Sequence, residues 1–209
     1  MKLLLVRHAA STTQDSGRFV GSGDPPLSAA GQAQAAKLAE LVCRRGPITR
    51  CVSSPQRRAW QTAGVIAARA GVGLQADSNL REVNFGRWEG LNFGEIAAKD
   101  PELLPRWMGF EPDFAFPEGE SLRDFLTRVD QVATLLCVDA PLVKEKEENS
   151  VLLVTHGGII RALLCRLLGF EPAQYTRFDL RPASLTTLHV IGDAAVLMGF
   201  NEFAAEVSA

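Results

Sequence analysis

Two histidines stand at the ends of short apolar runs. Lys2-Leu3-Leu4-Leu5-Val6 gives way to Arg7-His8, and Val151-Leu152-Leu153-Val154 gives way to Thr155-His156-Gly157-Gly158. Runs of this length suit strands buried on both faces, as in a parallel sheet. Open parallel sheets bind ligands beyond the carboxyl ends of their strands. Two of the chain's three histidines therefore fall where such a sheet places an active site. An arginine precedes one, and glycines that open a helix follow the other. Guanidinium and helix-start amides suit a phosphate group.

The elements that must hold these residues alternate between strand and helix. After the strand over Lys2 to Arg7, a loop rich in Ser, Thr, Gly and Pro runs to Pro26. Ser28 caps a helix to about Arg45, with Leu38, Leu41 and Val42 inward. Ile48 to Ser53 is a second strand. Ser54-Pro55 opens the next helix, with Ser as cap and Pro in its first turn, and that helix stops before Gly71. Leu74 to Val83 contains an extended segment ending in Arg81-Glu82. Phe85 to Gly119 reads as irregular and aromatic, Glu120 to about Ala140 as a helix, and Lys144 to Ser150 as a charged turn. A helix from Ile159 to Leu168 closes at Gly169. Leu185 to Ile191 and Ala194 to Gly199 pair as terminal strands. The alternation gives a layered α/β fold.

The 209 residues make one domain with a sizeable core. With 22 basic and 24 acidic residues, the formal net charge is −2. General nucleic-acid binding, which wants a basic surface, is not expected. No apolar run approaches a membrane span. The start faintly resembles a signal peptide, but Arg-His cuts its apolar part short, so it is read as a strand. Cys43, Cys51, Cys137 and Cys165 show no close pairing and read as core thiols of a cytoplasmic protein. A homodimer is left open, because no motif fixes the oligomeric state.

Four blocks then occur in order. They are Arg7-His8; Ser53-Ser54-Pro55-Gln56-Arg57-Arg58-Ala59 with Gln61-Thr62-Ala63; Arg81-Glu82 continuing into Phe85-Gly86-Arg87-Trp88-Glu89-Gly90; and Thr155-His156-Gly157-Gly158. From residue 2 to about 170 the chain resembles the histidine phosphatase superfamily, which has the phosphoglycerate mutase-like fold. The resemblance implies a three-layer α/β sandwich with a mainly parallel central sheet, a single domain over 1–209, and a cover at about 85–120 over the site. It implies hydrolysis of a small phosphorylated metabolite without cofactor or metal. A neutral imidazole can attack phosphorus and form a phosphohistidine, and His8 matches the family nucleophile. Arg7 and Arg58 match the phosphate-binding arginines; Arg57 competes, and the Ser-Ser-Pro spacing favours Arg58. His156 matches the second histidine. Glu82 matches the carboxyl group that protonates the leaving alkoxide and then deprotonates water.

Further contacts are implied less directly. Ser11 and Gln14 fall at polar substrate-contacting positions, with Gln14 in place of the more usual Asn. Gly21 matches a backbone contact, and Gly157 offers a backbone N–H. Glu89 reads as ordering its loop. Ala9 departs from the family's usual Gly, and its methyl group would crowd the turn or demand a negative φ. A metal at His8 and His156 is disfavoured, since no His-x-His pair occurs and arginines repel a cation. His189, Arg161, Arg166 and Arg177 read as structural or solvated.

The cover speaks to the substrate. It holds eight acidic and three basic residues, with Phe85, Trp88, Phe93, Trp107, Phe110, Phe114 and Phe116. A phosphoglycerate mutase should want extra cations there. The blocks at 81–90 and 116–122 resemble α-ribazole phosphatases of cobalamin nucleotide-loop assembly, and aromatic rings could stack on a base, although rings in a cover more often pack it onto the core. A broad-specificity phosphatase, a phosphoglycerate mutase and an inactive phospho-ligand-binding member stay as alternatives.

Overall fold

The computed structural model describes residues 1–13, 17–138 and 149–204. Six strands form one sheet: β1 Lys2–Arg7, β2 Arg50–Ser53, β3 Leu74–Ala76, β4 Ser150–Thr155, β5 Leu185–Ile191 and β6 Ala194–Glu202. Their order is β3-β2-β4-β1-β5-β6. The first four in that order run parallel, and β5 and β6 add an antiparallel edge. The α-helices are α1 Ala29–Cys43, α2 Arg57–Ala70, α3 Phe93–Lys99, α4 Leu103–Met108, α5 Leu122–Val138 and α6 Gly157–Leu168.

Alternation along the central strands splits the core in two. Leu4, Val6, Leu152 and Val154 pack with residues of α1 and α2, such as Leu38, Val42, Ala63 and Ile66. Leu3, Leu5, Val151 and Leu153 pack with residues of α5 and α6 and with the cover. Successive side chains point to opposite faces of a strand, so a run apolar at every position needs helices on both sides. This is the three-layer α/β sandwich expected from the sequence.

Register does the positioning. β1 pairs with β4 in parallel, with Arg7 opposite Thr155. The next residue of each strand is therefore a histidine, and the two leave the sheet side by side. Their ring centroids are 5.0 Å apart.

Two expectations need correction. The second helix starts at Arg57, capped at Gln56, not at Ser54-Pro55. The Ser54 N–H still bonds the Val154 carbonyl at 3.0 Å. Ser54 is thus tied to the interior strand β4, and the chain turns helical only beyond it. The cover, read as irregular, contains α3 and α4. An Asn92–Glu95 capping box opens α3, a spacing visible in the sequence. Of the charged turn at 144–150, residues 144–148 lie outside the described residues, as does Gln14.

Candidate active site

His8 follows β1 and is buried. Its Nδ1 lies 2.8 Å from the Ala9 carbonyl. That bond assigns the hydrogen of the neutral ring to Nδ1 and leaves the lone pair on Nε2. Burial, then the charges of Arg58 and Arg7, push the His8 pKa well below the ordinary imidazole value. The ring is therefore neutral, with its lone pair on Nε2.

Ala9 fits this turn. It is absent from the non-glycine residues with positive φ. Its methyl group is fully buried with Leu4, Leu38 and Ala59, and its N–H donates to Thr62 Oγ1 at 3.1 Å.

Arg58 stands in the first turn of α2 and is 1% exposed. Its Nε donates to His8 Nε2 at 3.3 Å, Nη1 to the Gly23 carbonyl at 2.6 Å, and Nη2 to the Gly21 carbonyl at 2.9 Å. Arg57 is exposed, and only its backbone N–H is engaged, by Asp24 at 2.6 Å. Gln56 is a residue that sequence reasoning quoted but gave no role. Its Nε2 donates to the Gly21 and Gly23 carbonyls, at 2.9 and 3.3 Å, and its Oε1 accepts the Glu82 N–H at 2.8 Å. Glu89 orders the same loop, accepting from Ser22 N at 2.6 Å and Gly23 N at 3.2 Å. Gly21 has φ +52°, and a Cβ there would collide with Glu89 and Phe85. Only glycine suits both constraints.

Glu82 is half-buried. One carboxylate oxygen accepts Val83 N at 3.1 Å and the other Gly158 N at 3.2 Å, at the start of α6. A Cβ on Gly158 would come within 2.5 Å of Glu82 Oε1. Gly158, rather than Gly157, thus receives the carboxylate, while Gly157 faces Arg7: a Cβ there would lie 3.5 Å from Arg7 Nε. Arg7 donates from Nη1 to the Leu180 carbonyl, and its buried Nε has no hydrogen-bond partner among the described residues.

His156 is fully buried. Its Nε2 lies 2.9 Å from Ser54 Oγ. Its Nδ1 has no partner among the described residues. Burial and then the neighbouring His8, Arg58 and Arg7 hold this pKa well below the usual value too.

Beside His8 opens a cavity of about 590 Å³. Arg7, His8, Ser11, Gly21, Arg58, Glu82 and Gly157 all line it. Arg161, read from sequence as solvated or structural, lines it as well. Among the described residues, the only carboxylate on its wall is Glu82. The acidity of the cover does not reach the cavity. Glu95 pairs with Arg18, Asp100 with Arg87, Glu111 and Asp113 with Arg106, and Glu120 with Arg128. Of the seven cover rings, Phe85, Phe93 and Trp107 face the cavity, joined by Phe19 and Tyr175. Phe85 and Trp107 also belong to the buried core, together with Trp88, Phe110, Phe114 and Phe116. Among the described residues, no group of three or more His, Cys, Asp or Glu is placed to hold a metal, and no helix is long and apolar enough to cross a membrane.

The fold is α/β, and two histidines, two arginines and a glutamate converge at the carboxyl ends of β1 and β4. The chain belongs to the histidine phosphatase superfamily (branch 1), whose model matches residues 3–202. It is 36% identical over 194 residues to a bifunctional protein of Mycobacterium tuberculosis, covering 93% of this chain and 51% of that protein. The chain thus spans about half the length of that relative. It is 31% identical over 201 residues to phosphoserine phosphatase 1 of Hydrogenobacter thermophilus, covering 96% and 92% of the two chains. The solved mycobacterial glucosyl-3-phosphoglycerate phosphatase matches with a TM-score of 0.83 and 31% identity, covering 97% and 99%. An α-ribazole phosphatase from Shigella flexneri matches over both whole chains with a TM-score of 0.82 at 24% identity, a likeness of fold alone.

Proposed function

We propose that this chain hydrolyses small phosphomonoesters through a phosphohistidine at His8. One observation carries the reading: His8 is held neutral with its Nε2 lone pair beside Arg58, in a buried cluster where Arg7 Nε and His156 Nδ1 have no partner among the described residues. Those groups and charges match the three equatorial oxygens of a transferring phosphoryl group.

In the first step Nε2 attacks phosphorus and the ester P–O bond breaks. The phosphoryl group comes to rest on His8, with Arg7, Arg58 and His156 on its oxygens and the Gly157 N–H near it. Glu82 gives its proton to the departing alkoxide. In the second step Glu82 takes a proton from water, the hydroxide attacks phosphorus, and His8 leaves neutral with its Nδ1–H still on Ala9. Ser11, on the same wall, contacts the substrate; Gln14 keeps its expected contact as a proposal from the motif alone.

The test is phosphate release with excess chelator, with acid-quenched protein examined for acid-labile phosphate. His8→Ala should abolish both turnover and label. Glu82→Gln should cost most with a poor leaving group such as a sugar alkoxide, and least with nitrophenolate. Label on another residue, or abolition by chelator, would count against the reading.

Two substrate classes have support. The five rings on the wall favour a ring-bearing ester such as α-ribazole 5′-phosphate, in line with the blocks at 81–90 and 116–122. The ion-paired cover acids, with Arg161 on the wall, favour a phosphorylated carboxylic acid; phosphoserine is one.

A further inference from the structure

We propose that Arg161 is a specificity-determining residue that binds a carboxylate on the organic part of the substrate. The inference rests on the phosphomonoesterase reading of the site and chooses the second substrate class.

Arg161 lies four residues after Gly157 in α6. Residues at that spacing share a helix face, about one turn and 6 Å apart. The Gly157 end of the face lies against Arg7. Arg161 therefore continues the arginine wall by one turn, away from His8, and it lines the same cavity. A few ångströms is the span from the ester oxygen to the carboxylate in a three-carbon phosphoacid. The two guanidinium charges are close enough for Arg161 to be among the influences that lower the Arg7 pKa.

The side chain is held for such a task. Its Nε donates to the Phe178 carbonyl at 2.7 Å, which fixes the guanidinium plane. No carboxylate among the described residues lies within ion-pair distance of it, whereas Arg18, Arg87, Arg106 and Arg128 each have one. Arg7 and Arg58 serve the phosphoryl group, so Arg161 is a further cation on the wall. A planar fork of donors matches a carboxylate bidentately.

The experiment uses matched esters that differ only at the carboxylate. One pair is O-phosphoserine against O-phosphoethanolamine; the other is 3-phosphoglycerate against glycerol 3-phosphate. The readout is the ratio of kcat/KM within each pair, so a general loss of activity cancels. Wild type should prefer the carboxylated member by on the order of 10- to 100-fold in at least one pair, the scale of one charge-assisted bidentate contact. Arg161→Gln should collapse that ratio toward one, mainly through KM. If the glutamine variant does not fold, Arg161→Lys carries the test, and the ratio should fall several-fold because an ammonium lacks the fork.

A wild-type ratio near one in both pairs overturns the proposal, as does a preference that survives substitution. So does α-ribazole 5′-phosphate outperforming every carboxylated ester. Nitrophenyl phosphate separates the two levels. No turnover of it by wild type would sink the phosphatase reading itself, while turnover without carboxylate preference sinks only the role of Arg161.

Discussion

Arg57 and Arg58 are neighbours in sequence with opposite surroundings. One helical step of about 100° separates them, which turns one guanidinium into solvent and the other onto His8. Burial lowers the Arg58 pKa, opposed in part by Glu82, Asp24 and Glu89, but an arginine keeps its charge at any working pH. Arg58→Ala should lower kcat/KM for nitrophenyl phosphate by about 10²-fold or more, the cost of losing one preorganised donor. Arg57→Ala should change it by less than about threefold. Steady-state kinetics of the two variants decide the matter, and equal losses would show that the buried guanidinium does not serve the phosphoryl group.

The same logic at the level of elements concerns what keeps separate loops in one arrangement. The loop at 21–23, the start of α2 and the segment carrying Glu82 meet at Gln56. Its amide is donor to the first and acceptor for the last, while its own backbone caps the helix. Gln56→Leu keeps much of the volume and removes every side-chain bond. The half-buried Glu82 N–H then loses its partner, at about 1 kcal/mol, and Glu82 loses its anchor. Turnover should fall roughly tenfold, and further for an alkyl phosphate than for nitrophenyl phosphate, because only the former needs a proton on its leaving group. A loss of the same size for both esters, with a lowered melting temperature, would mean that Gln56 merely holds the structure together.

For the whole molecule, the site's burial has a cost in acid. His8 and His156 are neutral in the folded chain, each with a pKa well below its ordinary value because of burial first and neighbouring charges second. In the unfolded chain each returns to about 6.5. Below that pH the unfolded state binds more protons than the folded one, so stability is full above about pH 6.5 and falls as pH drops. Thermal melting between pH 8 and 5 should show this decline, at a range where carboxylates near 4 contribute little. His156→Asn should flatten the decline. A melting temperature independent of pH over that window would contradict neutral burial of the imidazoles.

The sequence by itself determined the layered α/β fold and where its two histidines emerge. All-apolar runs can be satisfied only between two helical layers, and a strand end is a local feature. It also marked the glycines at 157–158, whose place after a strand is local as well. Only the tertiary structure decided what depends on parts far apart in the chain. Ser54 reads as a helix cap until strand β4 holds its backbone and its hydroxyl pairs with His156. Ala9 reads as a strain until its turn takes a negative φ and it is buried in the same apolar layer as Leu38 and Ala59. The charge of the cover misleads because a count of acids says nothing of their partners. Arg18, Arg87, Arg106 and Arg128 pair with five of the eight, and the cavity keeps Arg161 on its wall. Ion pairing and cavity lining are set by three-dimensional proximity, which composition and periodicity do not encode.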